Sequence, residues 1–252
     1  MSQATWKSVG TGATHTTGAV TPVIPTHAAG DWMWLIAESV NTTWGSDPSG
    51  WTVVIDETFT TISKLKVWRK LATSGAETDP TITPTGGNHI WAVVALTDNV
   101  HATSPIHFQA VEQIAAGTDQ RFPSFKTLVD DCLVLQIGAY SLDNAGPLCS
   151  AEANTSFTPV ERFDAGTIDG NGGGLVIYSG PATAPGDYAS TTFTCTSTGW
   201  VVATLVLAPI ADKTSAGTVT INGAAAANGN DVRAIDLTQP AASYLCSVAV
   251  TT

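Results

Sequence analysis

Helical periodicity is what this chain has least of. Across 252 residues no stretch much beyond about ten carries a sustained 3.6-residue apolar repeat, which excludes helical bundles and α/β architectures. Charge is also scarce: only 12% of residues are charged, and 10 Lys and Arg stand against 21 Asp and Glu, for a formal net charge of −11. So few cations disfavour nucleic acid as a partner, because phosphate binding needs clustered positive charge, and the acidic excess favours solubility. No apolar run approaches the roughly 18 residues a membrane-spanning helix requires, so no membrane partner is expected.

Other absences narrow the chemistry. The residues after Met1, namely Ser2, Gln3, Ala4 and Thr5, include neither a basic stretch nor an apolar core, so no secretory signal is expected. Without secretion the sequons at Asn41 and Asn154 carry little meaning. The four cysteines (Cys132, Cys149, Cys195 and Cys246) are widely spaced with no CxxC pairing, and in a reducing cytosol they read as free thiols. Gly-x-Ser-x-Gly is absent, so there is no nucleophile elbow. The five histidines (His15, His27, His89, His101 and His107) show no HExxH or other tight ligand spacing and read as surface or loop residues. Glycosidase chemistry needs two converging carboxylates, and nothing nominates a pair; Asp130 and Asp131, adjacent at a strand start, point to opposite faces. No motif requires a cofactor.

What is present is β structure. Runs of β-branched and aromatic residues recur between clusters of Gly, Pro, Asn and Asp, and predict strands over Trp32–Ser39, Trp51–Glu57, Lys64–Ala72, Ile90–Thr97, Cys132–Ser141, Phe157–Arg162, Gly174–Ser179, Thr191–Thr196 and Trp200–Leu207. The chain also matches itself. Asp31-Trp32-Met33-Trp34-Leu35 aligns with Asp131-Cys132-Leu133-Val134-Leu135, Trp51-Thr52-Val53-Val54 with Phe157-Thr158-Pro159-Val160, Ser74-Gly75 with Ser179-Gly180, and Trp91-Ala92-Val93-Val94 with Trp200-Val201-Val202-Ala203. Order is preserved and the offset drifts slowly, as loop insertions between two copies of a four-strand unit would produce.

Four strands expose an apolar face they cannot bury alone, and two such units laid face to face bury both. The expected fold is therefore all-β: a two-sheet, jelly-roll-like sandwich over 1–210, built by internal duplication with halves at about 28–99 and 128–208. Val100 to Lys126 joins the halves, and its Phe108, Phe122 and Phe125 imply that it packs. A composition shift after Pro209 marks a small β extension over 211–252, too short to hold a core alone.

The string Gly30-Asp31 before an apolar strand, then Asp47-Pro48-Ser49-Gly50-Trp51-Thr52, Val67-Trp68-Arg69-Lys70-Leu71-Ala72 and Trp91-Ala92-Val93-Val94-Ala95-Leu96 resembles a recurring pattern in structural proteins of tailed-bacteriophage virions, described as capsid decoration, head-fibre or minor tail components. The likeness spans roughly residues 4 to 100, with a weaker echo to 208. It implies a non-enzymatic virion protein, made in the bacterial cytoplasm, that contacts other virion proteins and is a homo-oligomer, with a trimer as one form.

Three features are candidates for interaction. Lys64, Lys66 and Lys70 with Trp68 fall on one face of a strand by strict alternation; they could grip an acidic neighbour or a charged glycan, or belong to an exposed sheet face or a lysine-guarded edge strand. Trp44, in the polar loop from Asn41 to Ser49, is the tryptophan expected to be exposed, and a host-surface carbohydrate is the alternative partner, since exposed indoles stack on sugars. Asp164, Asp169 and Asn171 in an acidic glycine loop could offer oxygens to Ca²⁺, although glycine and Asp or Asn are equally what a hairpin connection demands. A polysaccharide-cleaving enzyme remains a third reading.

Overall fold

The computed structural model describes residues 2–40, 43–59, 63–85, 89–115, 120–147, 149–168, 170, 172–195 and 199–210. The chain divides into Met1–Ala211 and Asp212–Thr252, and the expected C-terminal β extension lies outside the described residues, among which there is no helix. In chain order the strands are β1 (Thr5–Val9), β2 (Ala13–His15), β3 (Trp32–Val40), β4 (Thr52–Phe59), β5 (Ser63–Leu71), β6 (His89–Asp98), β7 (Ile106–Ile114), β8 (Gln120–Phe122), β9 (Phe125–Thr127), β10 (Cys132–Tyr140), β11 (Cys149–Ala153), β12 (Val160–Thr167), β13 (Gly173–Ala182), β14 (Gly186–Tyr188), β15 (Thr191–Cys195) and β16 (Trp200–Leu207). All pairings are antiparallel, and eleven strands form two main sheets, β1-β6-β3-β5-β4 with β2 also on β6, and β12-β13-β10-β16-β7. The all-β sandwich expected from sequence is what forms.

The two sheets have the same connectivity. Exchanging β1, β3, β4, β5 and β6 for β7, β10, β12, β13 and β16 turns one strand order into the other, so the repeated unit has five strands rather than four. Its extra member, β7, comes from the segment that joins the halves. Register departs from the sequence alignment by one residue in the central strand. Ile36 lies between Val67 and Val93, and Ile137 lies between Ile177 and Ala203, all six in the core between the sheets. Ile36 therefore corresponds to Ile137, not to Gln136. The same shift equates Gly30 with Asp131, each holding a left-handed backbone (φ 96° and 59°) just before its strand. Acidic identity at Asp31 and Asp131 drew the alignment off; the conserved requirement is a backbone turn, which glycine and aspartate both meet.

Burial extends beyond the sandwich. Trp32, Trp34, Ile36, Leu65, Val67, Val93 and Ala95 face Leu133, Leu135, Ile137, Leu175, Ile177, Val201 and Leu205 across the central core. The outer face of the first sheet is covered as well, with Met33, Leu35, Trp68 and Val94 packing under Val20, Ile24, Trp51 and Ile82. Over the second sheet lie a three-stranded β11-β15-β8 sheet and the β14-β9 pair, which bury Tyr140, Tyr178 and Trp200 in one cluster and Cys132, Val134 and Val206 in another. Two-sided burial explains why β3, β10 and β16 are buried at every residue and mostly apolar instead of alternating, with Glu38, Ser39, Gln136 and Thr204 as their buried polar members.

The open sides are closed by side chains. Gln109 and Gln113 of β7 donate through Nε2 to the carbonyls of Val54 (3.1 Å) and Thr58 (2.9 Å) on edge strand β4. On the opposite side the Trp91 indole donates to the Ala165 carbonyl of edge strand β12 at 2.6 Å, and Arg162 lies 5.6 Å from the Trp6 ring. Edge carbonyls satisfied in this way no longer template pairing with another chain.

Candidate functional site

The alternation expected in β5 holds. Lys66, Trp68 and Lys70 share the outer face with Met33, Ala37 and Asp56, while Leu65 and Val67 enter the central core. Two readings of that face change, however. Because β5 pairs with both β3 and β4, it is an interior strand, and the edge is β4. The face is also not an exposed basic strip. Lys66 is buried and bridges Asp47 (3.0 Å) and Asp56 (2.8 Å), with its ammonium 5.2 Å from the centre of the Trp68 ring. The indole of Trp68, itself 1% exposed, donates to Asp47 Oδ1 at 2.7 Å. Lys64 is half-buried opposite Thr58 and Ser39.

Trp44, expected in solvent, is half-buried and stands edge-on to Trp68 at 5.9 Å. The correction follows from the turn at Asp47 to Gly50. Gly50 takes a left-handed φ of 80°, folding the loop back over β5, so the indole buys more apolar contact against Trp68 than it has in water.

Lys70 pairs with Glu77 at 2.7 Å, and Glu77 also accepts from the backbone and hydroxyl of Thr73, both at 2.8 Å. The Lys70 contact above all, followed by those of Thr73, holds the Glu77 carboxyl at about 2. At Asp47 burial opposes ionisation, but the hydrogen bonds from Trp68 and Lys66 win and keep it below the ordinary range. Burial likewise pulls on Lys66, and its bonds to Asp56 and Asp47 more than offset that, raising it. Charges locked in these states transfer no proton near neutral pH; they clamp the covering loops onto the sheet. Beside them lies an open cleft of about 440 Å³ lined by Pro48, Ser49, Trp51, Lys70, Glu77 and Asp79.

The Glu77 clamp has a pH signature. Its carboxyl is depressed from an ordinary value near 4.5 to about 2, so its stabilisation is present above the ordinary value and is lost as pH falls through about 2. Glu77→Gln is expected to flatten the acid limb of stability between about pH 4.5 and 2, read as urea midpoints across that range.

Of the suggested Ca²⁺ ligands, Asp164 alone lies among the described residues. Asp164 uses Oδ2 to accept the Cys149 backbone N–H at 2.7 Å, which pins β11 to β12. Asp169 and Asn171 lie outside the described residues, and no group of three or more His, Cys, Asp or Glu residues is placed to hold a metal among those described.

Two features escaped the sequence. Glu38 and His89 are both wholly buried, with Glu38 Oε2 3.0 Å from His89 Nε2, so the reading of His89 as a loop histidine is corrected. Its position at the start of a strand after a glycine pair hid a buried role. The other is a second open cleft of about 460 Å³, where Phe108, Phe125 and Tyr188 meet Ser124, Lys126 and Asp187; Phe125 and Tyr188 stack in parallel at 4.7 Å. The aromatics of the joining segment were the signal, and they do pack, Phe122 and Phe125 being buried.

The geometry thus defines a duplicated, multilayered β-sandwich whose charged groups fasten loops to sheets. Comparison with family models, with curated proteins and with solved structures gives no match.

Proposed function

We propose that this chain is a non-enzymatic structural protein that works by surface contact, and that its setting is the particle of a tailed bacteriophage, as a capsid-decoration, head-fibre or tail-associated component. The observation that carries the contact reading is the use of ionisable groups: Lys66, Asp47, Asp56, Lys70 and Glu77 are all spent on one another, and the cleft beside them is open. Such a body offers area rather than a reaction chamber. The virion setting is supported by the sequence resemblance. Its partners on this reading are other virion proteins, with further copies of itself in a homo-oligomer.

A host glycan is the second reading, favoured by the Phe108, Phe125 and Tyr188 cleft, where aromatic surface adjoins hydroxyl and charged groups. One pair of experiments separates them. Size-exclusion with light scattering gives the oligomeric state, and co-sedimentation with particles lacking the protein is expected to show saturable binding at a regular stoichiometry. No binding to such particles, together with retention on an array of bacterial surface glycans, would overturn the structural reading in favour of receptor recognition.

A further inference from the structure

Three of the four cysteines, Cys132, Cys149 and Cys195, lie among the described residues, each as a buried thiol outside any disulfide. Their surroundings are not alike. Cys132 is an isolated thiol whose Sγ lies 3.6 Å from the Val129 carbonyl, and burial, with Asp131 and Asp130 adding, pushes it up to about 12. Such a group is chemically quiet. Cys149 and Cys195 instead occupy directly opposed positions on β11 and β15 and are hydrogen-bonded to each other through their side chains. Directly opposed residues of an antiparallel pair have Cα atoms about 4.5–5.5 Å apart, inside the roughly 4.4–6.8 Å that a disulfide spans.

We infer that Cys149 and Cys195 form a site of oxidative cross-linking, a cross-strand disulfide that staples the β11-β15-β8 sheet when the protein meets a disulfide oxidant. The pair sits in the cluster with Tyr178, Phe193 and Trp200, so packing fixes both side chains before any bond forms. The hydrogen bond from Cys149 favours the thiolate at Cys195 and disfavours it at Cys149, which makes Cys195 the first nucleophile. Both thiols are buried, yet β11 is an edge strand of its small sheet, and local opening of such an edge costs less than global unfolding.

The step balances with a small-molecule disulfide as oxidant. Cys195 thiolate attacks one of its sulfurs, forms a mixed disulfide and expels one thiolate. Cys149 then attacks Cys195 Sγ, forms the Cys149–Cys195 bond and expels the second. Two electrons pass to the oxidant, and the two cysteine protons end on the expelled thiolates.

The test is incubation of the full chain with excess oxidised glutathione, followed by thiol titration under denaturing conditions and non-reducing peptide mapping. The expected result is a loss of two titratable thiols per chain and one linked species joining the peptides of Cys149 and Cys195. The thermal midpoint should rise by roughly 5–10 °C and return on adding dithiothreitol. Cys132→Ser should keep the cross-link, and Cys149→Ser and Cys195→Ser should each abolish it. Cys149 and Cys195 both remaining alkylatable at equilibrium, or either one bonded to Cys132 or Cys246, would overturn the assignment. The outcome is independent of the virion reading.

Discussion

Replacing Glu38 by alanine is expected to cost about 3–5 kcal/mol of folding stability. The carboxyl is wholly buried beside an equally buried His89, and truncation opens a cavity there and removes the polar group packed against the imidazole. The surroundings are built for this group: a Cβ on Gly173 would come within 2.6 Å of the Glu38 carboxyl, so glycine there makes room for it. Glu38→Gln keeps the shape and a polar head, and its cost is expected to be about 1–2 kcal/mol.

Burial raises the Glu38 carboxyl well above its ordinary value, which fixes the sign of its pH effect. Below the ordinary value of 4.5 it is protonated in folded and unfolded chain alike. Above that value the unfolded chain ionises first, and stability declines as pH rises towards the folded value. Urea midpoints measured across pH should show that decline in the natural protein and lose it in Glu38→Gln; an unchanged slope would mean that the carboxyl does not titrate this way.

The second large effect separates two tryptophans that the sequence presents as twins. Trp200 is fully buried and packs on Tyr140 at 4.8 Å and on Phe193 at 5.4 Å, joining the second sheet to its small cover sheet. Trp91 is only half-buried; it leans on Phe163 at 5.8 Å and donates to Ala165. Trp200→Ala is expected to cost about 3–5 kcal/mol, and Trp91→Ala about 1–2 kcal/mol. Denaturant midpoints give the ranking, and hydrogen exchange should show β15 losing protection in Trp200→Ala alone.

Those tryptophans also show where sequence reading stops. Strand identity was legible because packing on both sides demands long, mostly apolar runs in β3, β6, β10 and β16, and because β5 alternates; all five fall within a residue or two of expectation. Repeat order was legible for the same reason. Register was not, since one residue of slip exchanges the faces of a strand while leaving its composition unchanged; Trp200 pairs with Tyr140 on the outer side, whereas Trp91 pairs with Glu38 on the inner one. Short strands such as β8, β9 and β14, of three residues each, lack the length for any period to show. At the basic strip the alternation of Lys66, Trp68 and Lys70 was readable locally, but its neutralisation depends on Asp47, Asp56 and Glu77 arriving from separate loops, which is a tertiary fact.

Segregation of the two sheets, each from its own half of the chain, bears on synthesis. During translation the first five-strand unit is complete while its apolar face still lacks the second. Until β10 to β16 follow, the surface best shaped to cover that face belongs to a sibling chain carrying the same pattern. The units are joined only through the short connection from Asn99 to Pro105, between β6 and β7, and opening at that hinge exchanges halves between chains, so crowding of nascent chains carries a hazard of domain-swapped dimers. Slowing elongation after β6 would deepen that hazard, and diluting nascent chains would relieve it.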